Sequence, residues 1–193
     1  MNKPALLVMD MQNGIVSRFQ DNVDMLQAVQ KSVGAARDHD IPVIFVRVGF
    51  SEGYPEVSPR NKAFSHVQQL GGMTVADHAT QIHESVQPEA GEPVVTKYRV
   101  SAFAGSTLEV VLRSKQIDTL ILTGIATSGV VLSTLREAAD KDFAIQVLSD
   151  ACADADAEVH RVLINKVFPR QADVLTVDEW IDNLESRREP LTN

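Results

Sequence analysis

Three features of this sequence that can support chemistry follow short apolar segments. Asp10 follows the segment 5–9, Lys97 follows a segment at 93–95, and residues 124–129 (GIATSG) follow the segment 119–122. A carboxyl group can act as a general acid or base, and an ammonium group can hold an anion. Backbone N–H groups at the start of a helix suit a developing oxyanion. Each feature also has a purely structural explanation: a turn-capping acid, a salt-bridged lysine and close packing at glycine.

Short apolar segments alternate along the chain with longer segments of helical periodicity. The short segments are mostly continuous and rich in β-branched residues, as expected of strands buried on both faces. They lie at 5–9, 42–46, 93–95, 119–122, 144–148 and 172–175. Apolar residues in the intervening segments repeat every three or four positions, which predicts helices. Strands separated by helices predict a parallel sheet covered on both faces, which is a three-layer α/β fold.

The length of 193 residues predicts a single domain over 1–193, with a core at about 4–180 and a frayed tail at about 188–193. An irregular stretch at 49–72, rich in Gly, Pro and Ser, is typical of a functional or interface-forming loop. The next segment, 77–86, is predicted to be a short helix. Ligands of open parallel sheets bind at the carboxyl ends of the strands, so the three chemical features are expected to converge there.

The composition argues against several classes of partner. The chain has 18 basic and 26 acidic residues, and its net charge of -8 argues against a broad phosphate-binding face and against nucleic acid. No apolar run approaches the roughly 20 residues of a membrane span, and none resembles a signal peptide. The single cysteine allows no disulfide framework and no cysteine-based zinc site. These features predict a cytoplasmic protein that acts on a small molecule, with no membrane or nucleic-acid partner.

Three ordered segments resemble the signatures of the isochorismatase-like hydrolases. They are 8–13 (VMDMQN), 97–103 (KYRVSAF) and 124–130 (GIATSGV). The resemblance extends from about residue 4 to residue 180, which is nearly the whole chain. It implies a Rossmann-like fold with a six-stranded parallel sheet of order 3-2-1-4-5-6. It also implies a homo-oligomer, a dimer or a tetramer, for which the stretch 49–72 and the helix near 108–112 are candidate contact surfaces.

The resemblance assigns catalytic roles to individual positions. Most members of the family use an Asp-Lys-Cys triad, in which Asp10 matches the acid and Lys97 matches the lysine. Val130 stands where the resemblance places the nucleophilic cysteine, so a thioester mechanism is closed at this position. The resemblance further implies a cis peptide bond between Ile125 and Ala126, which turns a backbone N–H group toward the substrate.

Several further residues are candidates for contacts at the site. Gln12 is expected to orient the acid or a water molecule through its amide, and Phe103 is expected to form an apolar wall or to pack in the core. Arg47 and Arg99 are candidates for binding substrate carboxylates, with solvated strand-end charges as the alternative. Cys152 follows the fifth predicted strand, away from the acid, and is expected to be a buried structural thiol.

The sequence predicts no metal ion and no cofactor. Nicotinamidases of the family bind a metal through an Asp-x-His pattern and a further His after the second strand, whereas the loop 48–64 contains neither Asp nor His. His78 and His83 are five residues apart on a predicted helix and therefore lie on different faces. His39 and His160 are expected to be surface or packing residues.

The sequence leaves three functional hypotheses open. The first is a hydrolase that acts without a cysteine on a vinyl ether or an analogous small carboxylate, with Asp10 as general acid and Lys97 holding a carboxylate or oxyanion. The second is an amidase in which Asp10 activates water, while Lys97 and the Ala126 backbone stabilise the oxyanion. The third is a binding or assembly protein that keeps the fold. The retained acid and lysine disfavour the third hypothesis, because burying both groups costs desolvation free energy.

Overall fold

The computed structural model describes residues 3–19 and 23–186, and the predicted tail at 188–193 lies outside them. Six strands form its centre. They are β1 (Pro4–Met9), β2 (Val43–Val48), β3 (Val94–Lys97), β4 (Thr119–Ile125), β5 (Ala144–Ala153) and β6 (Asp173–Leu175). They form one sheet of order β3-β2-β1-β4-β5-β6, and every neighbouring pair is parallel. The α/β fold and the strand order are therefore confirmed.

Helices cover both faces of the sheet. They are α1 (Asn13–Val16), α2 (Val23–Asp38), α3 (Val67–Leu70), α4 (Leu108–Ser114), α5 (Leu132–Asp140), α6 (Ala157–Val162) and α7 (Val177–Ser186). One apolar core joins Leu7 of β1 to Leu108 of α4 and to residues of α5. The second core joins Leu6 of β1 to residues of α2 and to Trp180 of α7. Successive residues of β1 enter opposite cores because side chains alternate along a strand, and the sheet is therefore the middle layer.

Residues 77–86 do not form the predicted helix. They form two 3-10 turns, His78–Thr80 and Glu84–Val86, on either side of Ile82. Ile82 bridges to Gln12 in antiparallel orientation, so backbone groups of this segment bind the chain just after β1 instead of pairing within a helix. The prediction of a helix here is wrong, because a contact between distant segments outweighs the local pattern.

Strand β5 continues past the predicted end at 148. Polar residues interrupt the apolar pattern, but the Ser149 hydroxyl donates to the carbonyl oxygen of Leu175, and the Asp150 carboxylate accepts from the N–H of Val177. These bonds satisfy the polar groups and allow the strand to continue. Cys152 consequently lies within the sheet, not after it as the sequence suggested.

The stretch 49–72 consists of turns and the short helix α3. Phe50 anchors it, with its ring centroid 5.5 Å from that of Phe64 and 6.2 Å from that of Tyr98. The N–H of Phe50 also donates to the carbonyl oxygen of Met73 at 2.9 Å. The irregular stretch is thereby held near the carboxyl ends of β2 and β3. None of the described helices is long and apolar enough to cross a membrane.

The close approach of β1 and β4 depends on Gly124. Its φ of +131° lies in a region that side chains rarely adopt, and a Cβ atom built there would lie 2.0 Å from the carbonyl oxygen of Met9. We predict that Gly124→Ala lowers the free energy of unfolding by about 2 kcal/mol or more, because the strands must separate to admit a methyl group. Urea denaturation followed by circular dichroism measures the difference.

Gly34→Ala is the matched control for this substitution. Outside the backbone of its own helix and its chain neighbours, no heavy atom of the described residues lies within 4 Å of a Cβ atom built at Gly34 in α2. Alanine favours a helix over glycine by about 0.5–1 kcal/mol, so this variant is expected to be at least as stable as the wild type. Equal stability of Gly124→Ala and the wild type would contradict the prediction.

Candidate active site

Asp10 and Lys97 meet at the carboxyl edge of the sheet. Asp10 directly follows β1, Lys97 ends β3, and the Asp10 Oδ2 atom lies 3.0 Å from the Lys97 Nζ atom. Only 6% of Asp10 and 2% of Lys97 is exposed. Asp10 has a φ of +57°, a left-handed conformation that Asp and Asn tolerate better than most residues, and its N–H donates to the carbonyl oxygen of Val46 at 2.8 Å. This local turn ends β1 and places the carboxyl group beside the ammonium group.

Burial governs the protonation of Asp10. Loss of water around the carboxyl group raises its pKa, and the neighbouring Lys97 ammonium acts in the opposite direction with a smaller effect. The Lys97 ammonium also donates to the carbonyl oxygen of Arg99 at 3.0 Å. The Oδ1 atom of Asp10 is buried and has no hydrogen-bond partner among the described residues. A buried carboxyl group with a raised pKa and an unpartnered oxygen is suited to proton transfer.

A cavity of about 500 Å³ opens beside this pair. Its lining residues are Asp10, Gln12, Gly14, Ile15, Arg18, Val48, Ala63, Phe64, His66, Val67, Leu70, Gly71, Gly72, Met73, Ala79, Lys97, Val100, Ala126, Gly129 and Val130. Asp10 and Lys97 are its buried charged groups, whereas Arg18 and His66 are exposed polar groups at its mouth. The remaining lining is mostly apolar. This size and composition suit a small organic molecule with a few polar groups.

The start of the segment after β4 forms one wall of the cavity. Ala126, Gly129 and Val130 line it. The peptide bond between Ile125 and Ala126 is cis, as the resemblance implies. Ile125 itself is buried in the core that includes Trp180 and lies outside the described lining of the cavity.

Two contacts with the region around α6 hold this wall in place. The Thr127 Oγ1 atom lies 2.8 Å from the Nδ1 atom of His160. The N–H of Ser128 donates to the Oδ2 atom of Asp154 at 2.7 Å. His160, expected to be a surface or packing residue, therefore supports the backbone that lines the cavity.

Gln12 joins three backbone segments. Its Nε2 atom donates to the carbonyl oxygens of Val48 at 2.8 Å and Thr80 at 3.1 Å, and its Oε1 atom accepts from the N–H of Val48 at 2.8 Å. The side chain is fully buried. The amide thus binds backbone at the end of β2 and in the 3-10 turn His78–Thr80, which differs from the expected role of orienting the acid or a water molecule.

Three other candidates do not line the cavity. Phe103 packs against Phe143, with 6.0 Å between ring centroids, which matches the core alternative for this residue. The Arg47 Nε atom donates to the Thr96 hydroxyl at 3.1 Å, and the Arg99 guanidinium donates to the preceding carbonyl at 2.6 Å. Both arginines therefore bind protein atoms outside the described lining of the cavity.

Arg18 and His66 also line the cavity, although no sequence pattern predicts a role for either residue. Arg18 lies in the 3-10 turn Ser17–Phe19 just after α1, and His66 directly precedes α3. Neither residue follows a strand, and neither belongs to a recognisable pattern. Both residues line the cavity because these loops fold over the strand ends.

Cys152 lies outside the described lining of this cavity. It pairs with Gly124 in the sheet, and its Sγ atom lies 3.9 Å from the carbonyl oxygen of Leu122. It lines a smaller cavity with Met25 and His160. Burial raises the pKa of the Cys152 thiol to about 12, so the group is protonated at neutral pH and is a poor nucleophile.

The described residues contain no cluster of three or more His, Cys, Asp or Glu side chains that could hold a metal ion. His78 and His83 occupy separate turns, not one helix. The Nε2 atom of His78 lies 3.2 Å from the Asn13 amide nitrogen, and the Nδ1 atom of His83 lies 2.8 Å from the Ser85 hydroxyl. Both histidines thus have local polar partners.

We predict that Cys152 is inert in the folded protein. Cys152 is 4% exposed and the pKa of its thiol is raised to about 12, so iodoacetamide should label it at least about 100-fold more slowly than in the urea-denatured chain. Mass spectrometry measures the labelled fraction with time. An exposed thiol introduced by Ser114→Cys in α4 is the control, and equal labelling rates at the two positions would contradict the prediction.

Sequence comparison relates the chain to known hydrolases. Residues 4–179 match the family model described as the isochorismatase domain. An uncharacterized isochorismatase family protein of Bacillus subtilis, YwoC, is 32% identical over 183 residues, which cover 95% of each chain. The ureidoacrylate amidohydrolase RutB of Pseudomonas syringae is 30% identical over 206 residues, which cover 94% of this chain and 80% of that protein.

Structural comparison gives the same result. A cysteine hydrolase from Pseudomonas syringae pv. phaseolicola 1448A has a TM-score of 0.88 and 25% sequence identity, and the match covers 95% of this chain and 93% of that one. Similarity in sequence and in fold therefore extends over nearly the whole length. The chain belongs to the isochorismatase family of hydrolases.

Proposed function

We propose that the protein is a hydrolase that acts without a cysteine nucleophile on a small carboxylate-bearing substrate, and that its reaction is cleavage of a vinyl ether. The Asp10 carboxyl group carries the proposal, because burial raises its pKa and its Oδ1 atom has no partner among the described residues. No thiol or hydroxyl side chain is among the described residues that line the cavity. Val130 stands where the resemblance places the cysteine, and its side chain cannot attack a carbonyl group.

A vinyl ether requires a proton donor and a water molecule but no covalent nucleophile. In the proposed reaction, Asp10 transfers its proton to the methylene carbon, which leaves an oxocarbenium ion. Water adds to this cation and returns a proton to the Asp10 carboxylate. The resulting hemiketal collapses into a keto acid and an alcohol, so one water molecule is consumed and Asp10 is again protonated. For an enolpyruvyl ether the keto acid is pyruvate.

Lys97 has two roles in this reaction. Its ammonium group lies 3.0 Å from Asp10 Oδ2, where it can hold a substrate carboxylate or the oxygen of the collapsing hemiketal. It also stabilises the Asp10 carboxylate that forms after proton transfer, because opposite charges interact strongly where water is excluded. The pair thus combines a proton donor with a cation that favours its conjugate base.

Asp10→Asn is predicted to abolish catalysis and to preserve the fold. Asparagine keeps the shape of the side chain and tolerates the left-handed conformation of residue 10, but it has no acidic proton. We expect the wild type to release pyruvate from isochorismate and Asp10→Asn to lower kcat by at least about 100-fold. Coupling pyruvate to lactate dehydrogenase and following NADH absorbance measures the release.

Cys152→Ala is the control for this experiment, because it removes the only cysteine of the chain at a buried position outside the described cavity lining. We expect it to retain the wild-type kcat. Loss of activity in a folded Cys152→Ala protein would contradict a cysteine-independent mechanism. A wild-type protein that releases no pyruvate would contradict cleavage of isochorismate.

The raised pKa of Asp10 sets the direction of the pH dependence. A general acid acts in its protonated form, so kcat/KM is predicted to be full below the folded-state pKa of Asp10 and to fall as pH rises through it. The folded state also holds this proton more tightly than the unfolded chain. The contribution of Asp10 to stability is therefore lost as pH rises from its unfolded to its folded pKa, and Asp10→Asn should remove this dependence. A pH profile of kcat/KM and urea unfolding at several pH values test the two effects.

The second candidate function is an amidase, which the similarity to a ureidoacrylate amidohydrolase favours. Ionised Asp10 would then remove a proton from water, and Lys97 with the Ala126 backbone would stabilise the oxyanion. In that case kcat/KM would rise as Asp10 ionises, which is opposite to the acid mechanism. Release of ammonia from a panel of amides would detect this reaction, and failure of both reactions would favour the non-catalytic hypothesis.

The proposal includes a homo-oligomer, a dimer or a tetramer, in the cytoplasm. Leu70 on α3 and Val110 on α4 are mostly exposed apolar side chains. They lie in the stretch 49–72 and in the helix near 108–112, which are the two contact surfaces predicted from the sequence. Burial of both side chains between subunits would remove apolar surface from water and favour association.

A further inference from the structure

We infer that Arg18 selects substrates by a carboxylate that is remote from the reacting bond. The inference rests on the proposed function, because it takes the cavity at Asp10 as the site of reaction. The substrate would then have an apolar body, with the reacting bond at one end and a carboxylate at the other end, near the mouth of the cavity.

Charged groups occupy two depths of the cavity. Asp10 and Lys97 are almost fully buried, whereas Arg18 is exposed and lines the same cavity. Apolar side chains such as Phe64 and Met73 form much of the remaining lining. A substrate with its reacting bond at Asp10 therefore meets apolar walls and has a single guanidinium group at the mouth.

The short helix α1 fixes the place of Arg18 relative to the acid. The N–H groups of Ile15 and Val16 donate to the carbonyl oxygen of Gln12 at 2.9 and 2.8 Å, so the helix begins close to the end of β1. Gly14 packs closely against the 3-10 turn His78–Thr80, because a Cβ atom built at Gly14 would lie 2.9 Å from the Cβ atom of Ala79. Arg18 lies in the 3-10 turn Ser17–Phe19, which directly follows α1.

The guanidinium group of Arg18 is suited to bind a carboxylate ligand. None of the ion pairs among the described residues involves it, whereas Arg47 and Arg99 bind protein atoms. A guanidinium group can hold a carboxylate through two parallel hydrogen bonds. The chain has a net charge of -8, so an anionic ligand is repelled by the protein as a whole and gains from a cation at the mouth.

The test measures binding, with 3-phenylpropionate and neutral 3-phenylpropan-1-ol as probes. Both have an apolar body, only the first carries a carboxylate, and neither contains a bond that the proposed reaction cleaves. We expect Arg18→Gln to raise the Kd of 3-phenylpropionate by about fivefold and to leave the Kd of the alcohol unchanged. Added sodium chloride should weaken binding of the carboxylate to the wild type more than to Arg18→Gln. Chemical shift changes in protein NMR spectra give the Kd values.

Two control variants accompany Arg18→Gln. Arg170→Gln changes the net charge equally at an exposed residue outside the described lining, and we expect it to bind both probes like the wild type. His66→Gln removes the other exposed polar side chain at the mouth and should weaken binding of the carboxylate less than Arg18→Gln. Equal Kd values for Arg18→Gln and the wild type would overturn the inference. An equal or larger effect in either control, or no measurable binding of 3-phenylpropionate to the wild type, would also overturn it.

Failure of this inference can be distinguished from failure of the proposed reaction. The pyruvate assay depends on Asp10, whereas the binding probes do not react and the variants retain Asp10. Weaker carboxylate binding in Arg18→Gln without pyruvate release would support the substrate class and reject cleavage of isochorismate. Pyruvate release together with unchanged binding in Arg18→Gln would reject the role of Arg18 alone.

Discussion

The buried contact between the Asp10 carboxyl group and the Lys97 ammonium group, at the carboxyl edge of the sheet, is the constraint on which the rest of the site depends. Removing these two groups from water is costly, and each of them needs a partner where it is buried. Asp10 and Lys97 follow or end strands that are not neighbours, because β2 lies between β1 and β3. The pair therefore requires the left-handed turn at Asp10 and a well-placed end of β2, which Gln12 binds through both backbone groups of Val48.

The same burial links protonation to mechanism. Lys97 favours the ionised form of Asp10, but loss of water has the larger effect and raises the pKa. Val130 adds an apolar side chain to the wall beside this pair. A thiolate at that position would provide a nucleophile and a second anion, whereas valine provides neither. Under the proposed mechanism, Val130 contributes to the water-poor environment that raises the pKa of Asp10, and this environment favours proton donation over covalent attack.

The sequence predicts the strands and the acid and lysine beside them, because continuous apolar segments are a local signal. Asp10 and Lys97 could be placed for this reason, and the strand order that the resemblance implies is confirmed. The features that the sequence does not predict depend on contacts between distant segments. Strand β5 continues through Ser149 because that hydroxyl binds the carbonyl oxygen of a residue in β6. The backbone contacts of Gln12 and the position of Arg18 at the cavity follow from how loops fold over the strand ends, which no local pattern records.

Gly124 connects the geometry of the sheet to that of the site. Its lack of a side chain allows β4 to approach the carbonyl oxygen of Met9, the residue before Asp10. The chain then passes through Ile125 into the wall that begins at Ala126. A side chain at 124 would displace β4 from β1 and would move this wall relative to the acid. The position of Ala126 relative to Asp10 therefore depends on a contact within the sheet, at Gly124, which lies outside the described lining of the cavity.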